Sequence, residues 1–289
     1  MGWTEILQFA LSGLTVGSIY ALIALGFVVV LNATALLNFA QGQFVMLGAI
    51  AASILVTQYR WSMPLAILLT VPSVALLSGV CQRMIVAKAR STERINRELV
   101  TLGVGIIIES IVLLVWGADS FSLPYFSTDA SITLGPATLP TQALWIMGVS
   151  VLAMLALVTF YRFTIHGQAM LACAINREAA TLMGVRPTTV ATLSFIVGGA
   201  LGALGGTLVV PLVPMSFNAG LLMSIKGFAA LVIGGMGSIP GAIVGGLAIG
   251  LVESFSAGLL SSVYKEIIPM SLIILMLLVR PQGLLGSRS

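Results

Sequence analysis

Residues 13–49 have the sequence GLTVGSIYALIALGFVVVLNATALLNFAQGQFVMLGA, in which no side chain is charged. The uncharged interval extends from Glu5 to Arg60, which is long enough for two transmembrane helices of about 20 residues each. The chain of 289 residues is 58% hydrophobic and 8% charged, whereas soluble domains carry about 25% charged residues. Such a chain cannot cover a water-facing surface, so the sequence predicts an all-α, polytopic integral membrane protein.

The apolar segments predict eight or nine transmembrane helices in a single membrane domain that covers residues 1–289. Region 226–260 allows two short segments or one span with a re-entrant piece, because each half is brief and rich in glycine. The predicted spans are 8–31, 37–57, 63–83, 99–117, 142–161, 188–211, 226–240, 241–260 and 266–280.

The charged loops predict the orientation of the chain. Ten of the 13 Lys and Arg residues lie in or beside loops 84–98 and 162–187 or follow the last span, as Arg280 and Arg288 do. The loop 118–141 contains Asp119 and Asp129 but no Lys or Arg. Because basic loops stay in the cytoplasm, we expect 84–98, 162–187 and the C-terminus to be cytoplasmic and 118–141 to be periplasmic or extracellular. The N-terminus is then outside if all three early spans cross fully.

Two polar, glycine-containing breaks interrupt the apolar chain. The first, LLNFAQGQF at 36–44, contains Asn38, Gln41 and Gln43, and the second, GGMGSIPGA at 234–242, contains Gly237 and Ser238. Lipid cannot satisfy the backbone groups that a broken helix exposes, so each break should be buried in protein or line a cavity. Paired breaks are typical of transporter pathways. The alternative is that the amides only cap broken helix ends.

The titratable residues argue against catalysis by this chain. The only histidine is His166, in a predicted cytoplasmic loop, and the sequence has no metal-ligand spacing and no phosphate-binding loop. Glu109 and Glu253 fall within predicted spans, where a charge is costly, so each should face the protein interior. They either join helices by hydrogen bonds or serve a substrate or proton pathway. Since no intramembrane Lys or Arg is an obvious partner, and Lys226 sits where it can snorkel to the outer interface, we expect structural, neutral carboxyl groups.

The segment ACAINREAATLMGV at 172–185 is too polar to span a membrane. Helical spacing places Leu171, Ile175, Ala179 and Leu182 on one face, and Gly184 and Pro187 end the helix. The sequence thus predicts one amphipathic helix over 172–186. It either rests on lipid headgroups or fits a groove on a cytoplasmic partner.

Four blocks of the sequence resemble one protein family. The stretches at 13–49 and 226–254, REAATLMGV at 177–185 and RPQGLLG at 280–286 are similar to the permease subunits of branched-chain amino acid ABC transporters, above all the smaller, H-type subunit. The resemblance implies the fold of an ABC importer permease. It also implies one transmembrane half of an importer for amino acids or related small polar or organic solutes in the bacterial inner membrane. A proton-coupled secondary transporter or channel that uses Glu109 or Glu253 is the alternative.

The same resemblance implies partners and a contact site. A second permease subunit, two cytoplasmic ATPases that use ATP and Mg²⁺, and a periplasmic or lipid-anchored binding protein are expected. This chain itself is expected to be non-catalytic, without a cofactor, a metal or a nucleic-acid partner. REAATLMGV matches the family's coupling helix, although the loop is shorter than in the family. The expected ATPase contacts are Ile175, Arg177, Glu178, Ala179, Ala180, Leu182 and Gly184.

Overall fold

A computed structural model describes residues 2–89, 94–127, 131–134, 137–259, 264–280 and 282–286. Six of its helices are long and apolar enough to cross a membrane, and four shorter helical stretches are apolar. The elements in chain order are α1 (Trp3–Thr34), α2 (Gln41–Thr57), α3 (Met63–Cys81) with a π-helical turn (Gln82–Val86), α4 (Arg94–Trp116), β1 (Ser131–Leu134), β2 (Ala137–Pro140), α5 (Thr141–Phe163), α6 (Ile165–Ile175), α7 (Arg177–Leu182), α8 (Pro187–Val209), α9 (Ala219–Gly234), α10 (Ile239–Leu259) and α11 (Tyr264–Val279).

Helix α1 is the centre of the bundle. Its 32 residues extend for about 48 Å at the usual rise, and every side chain from Ile19 to Val30 is buried. A helix that is apolar on all sides is buried either inside protein or in lipid. Here it is surrounded by α5, α6, α8, α9 and α10. The central part of the uncharged stretch, residues 19–30, therefore lies in the protein core.

Glycine seams allow the central helices to pack closely. A Cβ atom on Gly13 would lie 2.8 Å from the Leu251 Cα atom, and one on Gly17 would lie 2.8 Å from the Leu247 Cα atom, so α1 and α10 touch backbone to backbone. Helix α2 approaches Ala203 of α8 in the same way at Gly48. No hydrophobic force acts between helices in lipid, so van der Waals contact along such seams joins them.

The bundle has two chemically different ends. At the basic end, the loop 35–40 contacts the π-helical turn after α3 and the start of α4, and residues 282–286 bond to the end of α9. At the hairpin end, Gln8 bonds to Thr138 of β2, and Phe121 pairs with Met215. All four tryptophans lie at helix ends or in a loop on the side of the hairpin end: Trp3, Trp61, Trp116 and Trp145. Tryptophan side chains are typical of a membrane–water interface.

The observed helices confirm the predicted all-α, polytopic fold, with two differences. The β1–β2 hairpin in the 118–141 loop was not predicted. Helix α9 begins at Ala219, seven residues before the predicted span. Of the two alternatives for region 226–260, the structure has the two separate helices, α9 and α10. Among the charged residues used for the orientation, Arg90, Asp129 and Arg288 lie outside the described residues.

Candidate functional site

The first break is a buried loop between α1 and α2. Helix α1 ends at Thr34, and Ala35 adopts a left-handed conformation with φ 57°. The N–H groups that the break frees are bonded by side chains, as expected for irregular backbone inside a membrane protein. Leu37 N donates to Glu98 Oε1 at 3.1 Å, Phe39 N to Thr101 Oγ1 at 3.0 Å, and Gly42 N to Ser224 Oγ at 2.8 Å.

The three amide side chains of this break, Asn38, Gln41 and Gln43, are each buried and half satisfied. Asn38 Oδ1 accepts from Ala40 N at 3.2 Å, and Gln41 Nε2 donates to the Gly198 carbonyl at 2.8 Å. In the described structure, Asn38 Nδ2, Gln41 Oε1 and Gln43 Oε1 have no hydrogen-bond partner. A buried polar atom without a partner costs about 1–3 kcal/mol. Asn38 therefore caps the break, Gln41 and Gln43 bond to other helices, and each of the three amides keeps one atom without a partner in the described structure.

Gln43 and Glu109 meet beside a side cavity. Gln43 Nε2 donates to Glu109 Oε2 at 3.2 Å. Both side chains line a cavity of about 290 Å³ between α2, α4 and α9, together with Ser224 and the rings of Phe39 and Phe228. The expected hydrogen-bonded state of Glu109 is thus present, and its partner is an amide of the first break. We call Asn38, Gln41 and Gln43 the amide cluster and this space the side cavity.

The second break is a tight turn held by the C-terminal segment. Gly235 has φ 113° and Gly237 has φ 91°, conformations that disfavour any residue with a Cβ atom. Leu284 N donates to the Ile233 carbonyl at 2.8 Å and Leu285 N to the Gly234 carbonyl at 2.9 Å. Residues 282–286 therefore provide hydrogen bonds to carbonyl groups at the end of α9. The blocks GGMGSIPGA and RPQGLLG, distant in the sequence, therefore form one structural unit.

The predicted residues of the second break contact α1 and α10. Asn32 Nδ2 donates to the Gly237 carbonyl at 2.9 Å, and Ser238 Oγ accepts from Gly241 N at 3.1 Å. These bonds connect the turn to the end of α1 and cap the start of α10. The structure thus joins Gly237 and Ser238 to the same end of α1 that leads into the first break, while their hydrogen bonds are separate from those of the amide cluster.

The prediction of one continuous helix over 172–186 is wrong. The chain forms α6 and α7, separated by Asn176 in an extended conformation with φ −154° and ψ 106°. Asn176 Oδ1 accepts from Ala179 N at 3.0 Å and so caps α7. A side chain that bonds to the backbone this way favours a new helix start over a continued helix. Ile175 consequently lies on α6, and Leu182 on α7.

Gly184 ends α7, as the sequence predicted. It has φ 88°, Gly184 N donates to the Thr181 carbonyl at 3.0 Å, and Val185 N donates to the Ala180 carbonyl at 3.0 Å. These two bonds form a Schellman motif, which favours glycine at the left-handed position. Pro187 then begins α8. Helix α7 is therefore fixed at both ends.

The α6–α7 region exposes a small apolar knob, which consists of Ile175, Leu182 and Met183. Their exposed fractions are 79%, 89% and 86%. Arg177, Glu178 and Ala179 are also exposed and flank the knob. Ala180 is buried against this chain's own core. Six of the seven predicted contact residues are therefore accessible to a partner, while Ala180 seats α7 on the bundle.

The expectation that Glu253 lacks a basic partner, with Lys226 at the outer interface, is wrong. Lys226 Nζ lies 3.0 Å from Glu253 Oε1 and donates at 3.0 Å to the Tyr20 hydroxyl, which donates to Glu253 Oε2 at 2.7 Å. The sequence predicts Lys226 at the first position of the span 226–240. Because α9 begins at Ala219, Lys226 lies about two turns inside it. The sequence feature that indicates such a pair is a Lys and a Glu in successive apolar helices.

Three further residues that bond to the first break were not predicted from the sequence. Glu98 and Thr101 hold the first break from the start of α4, and Ser224 holds it from α9. Glu98 lies in loop 84–98, whose basic residues indicate only the side of the membrane that the loop faces. Serine and threonine within apolar helices are too common to single out.

Comparison with known proteins agrees with this architecture. The sequence profile of the family described as branched-chain amino acid transport system / permease component matches residues 9–277. The high-affinity branched-chain amino acid transport system permease protein LivH of Escherichia coli K12 is 33% identical over 97% of this chain and 95% of its own length. The corresponding protein BraD of Pseudomonas aeruginosa is 31% identical over 97% of this chain and 95% of its own length.

A solved structure shares the fold. A chain of PsaBC from Streptococcus pneumoniae, in complex with Fab, has a TM-score of 0.52 and 14% sequence identity, with 96% of this chain and 92% of that chain covered. At that identity the likeness concerns the fold alone. The match of the profile to nearly the whole chain, together with relatives above 30% identity, shows the family: the chain belongs to the branched-chain amino acid transport permease components.

Proposed function

We propose that this chain is one transmembrane half of an ATP-driven importer that moves branched-chain amino acids or related small polar or organic solutes across the inner membrane. Family membership supports the transport role, and the similarity to permeases of branched-chain amino acid transport systems supports the substrate class. The observation that carries the ATP-driven part is the rigid, exposed apolar knob of Ile175, Leu182 and Met183.

The knob suits a mechanical contact with an ATPase. Transmitted force requires a rigid element, and α7 is fixed by the Asn176 cap, the Gly184 motif and the buried Ala180. The apolar tip provides the buried centre of an interface, while Arg177 and Glu178 at its rim set the register in the groove. The proposed partners are two cytoplasmic ATPases that use ATP and Mg²⁺, a second permease subunit, and a binding protein outside. This chain itself catalyses no step.

The proposed pathway runs beside the amide cluster and the side cavity, at the interface with the second permease subunit. Half-satisfied amides offer hydrogen bonds without net charge, and a neutral lining releases a polar solute that a charged one would retain. The second break, with Gly237 and Ser238, lies at the end of α9 and connects this region to the basic end through Asn32.

The decisive experiment is uptake into proteoliposomes that contain the complete complex, with the binding protein outside and ATP inside. We expect uptake to require ATP and to continue unchanged when a protonophore removes the proton gradient. Replacement of Leu182 by Asp should abolish ATP-driven uptake while the complex still inserts. Tyr59→Asp, at an exposed loop position of the opposite end, is the comparison for general damage. Uptake that collapses with the proton gradient and continues without ATP would establish the proton-coupled alternative.

A further inference from the structure

A second cavity, at the hairpin end, has the composition of a binding site. It measures about 330 Å³ and lies between α1, α9 and the segment 210–218. Its walls are mainly aliphatic and methionine side chains, while Tyr20, Ser216, Asn218 and Lys226 supply its polar side chains. Small-ligand sites are apolar spaces of about 300–1,000 Å³ with a few placed polar groups. We call this space the hairpin-end cavity.

We infer that the hairpin-end cavity binds an apolar solute that carries a carboxylate, and that the Lys226 ammonium recognises this carboxylate. The inference rests on the proposed function and adds a site to it. This site lies on one subunit, between α1 and α9, and is distinct from the amide cluster and the side cavity.

The first argument is that the Lys226 ammonium keeps one N–H bond without a partner among the described residues, and that Lys226 lines this cavity. The ammonium has three N–H bonds, and the described residues take two of them, through Tyr20 and Glu253. Lys226 and Tyr20 line the hairpin-end cavity, whereas Glu253 lines a different cavity, beside Phe9 and Ser12. The Lys226 side chain is 15% exposed and that of Glu253 is 2% exposed. An anion in the hairpin-end cavity would therefore meet the cation and not its counter-ion.

The second argument is the moderate strength of such a site. Glu253 neutralises Lys226, and the Tyr20 hydroxyl and ring fix its position, with Lys226 Nζ 5.3 Å from the ring centroid. An isolated buried cation would hold an anion tightly, but a paired one attracts it weakly. A transport site must bind its solute weakly enough to release it. The apolar walls then select an aliphatic body attached to the carboxylate.

The test uses a cysteine placed in the cavity. Cys81 and Cys173 are replaced by alanine, Leu222→Cys is introduced, and the complete complex is held in nanodiscs, where a water-soluble maleimide reaches both faces. Leu222 lines the hairpin-end cavity and is 44% exposed. We expect millimolar L-leucine and 4-methylpentanoate to slow labelling at least fivefold, and L-leucinamide, which has no carboxylate, to leave it unchanged. The control is Tyr59→Cys, which lines neither cavity and is 65% exposed, and which these solutes should not protect.

A charge-neutral variant tests the role of Lys226. Lys226→Met together with Glu253→Gln removes the cation without leaving a buried charge, and protection at Leu222→Cys should disappear. Equal protection by L-leucinamide, protection that survives in the double variant, or no protection by either carboxylate would overturn the inference. The comparison of carboxylate with amide needs no variant and decides the question even if the double variant fails to assemble.

Uptake by the same preparations separates this site from the proposed function. ATP-driven uptake by the unsubstituted complex, without protection at Leu222→Cys, would overturn the hairpin-end site alone. The absence of ATP-driven uptake in a correctly assembled complex would overturn the proposed function, even if protection is observed.

Discussion

Buried amides in this protein fall into two groups that have different uses. Both ends of Gln142 are bonded: its Oε1 accepts from Phe126 N at 3.1 Å, and its Nε2 donates to the Leu208 carbonyl at 3.2 Å. Gln43, by contrast, keeps an unbonded Oε1 atom in the described structure and borders the side cavity. Burial is similar, 0% exposed for Gln142 and 5% for Gln43. The difference in hydrogen bonding, which sequence does not show, separates a structural amide from a candidate pathway amide.

The first prediction compares these two positions. In a background without native cysteines, Gln43→Cys should react with a water-soluble thiol reagent, and loaded binding protein with ATP should change its rate at least threefold. Gln142→Cys should stay unreactive because it borders only protein. Labelling rates in membrane vesicles measure both. If Gln43→Cys were as inert as Gln142→Cys in every state, the pathway would not pass the amide cluster.

The second prediction concerns the ion pair of Lys226 and Glu253. Removal of one partner from a buried pair typically costs about 3–5 kcal/mol, because the other charge stays buried. Glu253→Gln should therefore lower the melting temperature of the purified complex clearly, and adding Lys226→Met should restore part of the loss. Glu109→Gln is the control, since an amide can still bond to Gln43. Equal melting temperatures for Glu253→Gln and the unsubstituted complex would show that the pair contributes no stability.

At the scale of elements, the bundle combines close helix seams with short, fixed helices at its basic end. Helices α1 and α10 meet along glycines, so their relative position is fixed by backbone contact. Helix α7 has only six residues, too few for independent stability. Its caps and the buried Ala180 must hold it, and this makes its rigidity sensitive to single substitutions.

The third prediction applies to the end of α7. Gly184 has φ 88°, a conformation that costs other residues about 1–2 kcal/mol. Gly184→Ala should loosen the end of α7 and lower substrate-stimulated ATP hydrolysis severalfold, while membrane insertion and subunit assembly stay normal. The control is Gly148→Ala in α5, where an added Cβ atom meets nothing within 4 Å. ATPase assays on both purified complexes measure this effect. Normal substrate-stimulated ATP hydrolysis in Gly184→Ala would contradict a force-bearing role for this helix end.

At the scale of the whole molecule, charge and aromatic residues give the bundle a direction. Basic residues dominate the loops at one end, whereas the tryptophans belong to elements near the other. The folded helices connect these ends in an order that keeps loops 84–98 and 162–187 on the same side. The hairpin end should therefore face outward, because basic loops stay in the cytoplasm.

The fourth prediction tests this orientation. Tyr59 and Leu182 are exposed by 65% and 89% and belong to opposite ends. In intact cells of a strain that expresses the cysteine-free protein, Tyr59→Cys should be labelled by a membrane-impermeant maleimide. Leu182→Cys should be labelled only after the cells are opened. Labelling of Leu182→Cys in intact cells would show that the bundle has the reverse orientation and that the knob cannot meet a cytoplasmic ATPase.

The sequence by itself determined the membrane environment, the two breaks and the end of α7. Each of these depends on local chemistry: an uncharged interval from Glu5 to Arg60 excludes a soluble fold, polar residues beside glycine interrupt a helix, and Gly184 favours a left-handed residue. Such properties act over a few neighbouring residues, so they are visible without a fold. The family resemblance follows from the same local blocks.

Only the tertiary structure decided which residues meet. Tyr20 and Glu253 are 233 positions apart in the chain, and their hydrogen bond depends on the depth and rotation of α1 and α10. Helix α9 begins seven residues earlier than predicted. Lys226 therefore lies inside the bundle, where it pairs with the buried Glu253, and not at the expected interface. The Asn176 cap likewise divided a segment whose helical spacing appeared continuous in the sequence. Hydrogen bonds across helices depend on relative position in space, which the order of residues along one helix does not specify.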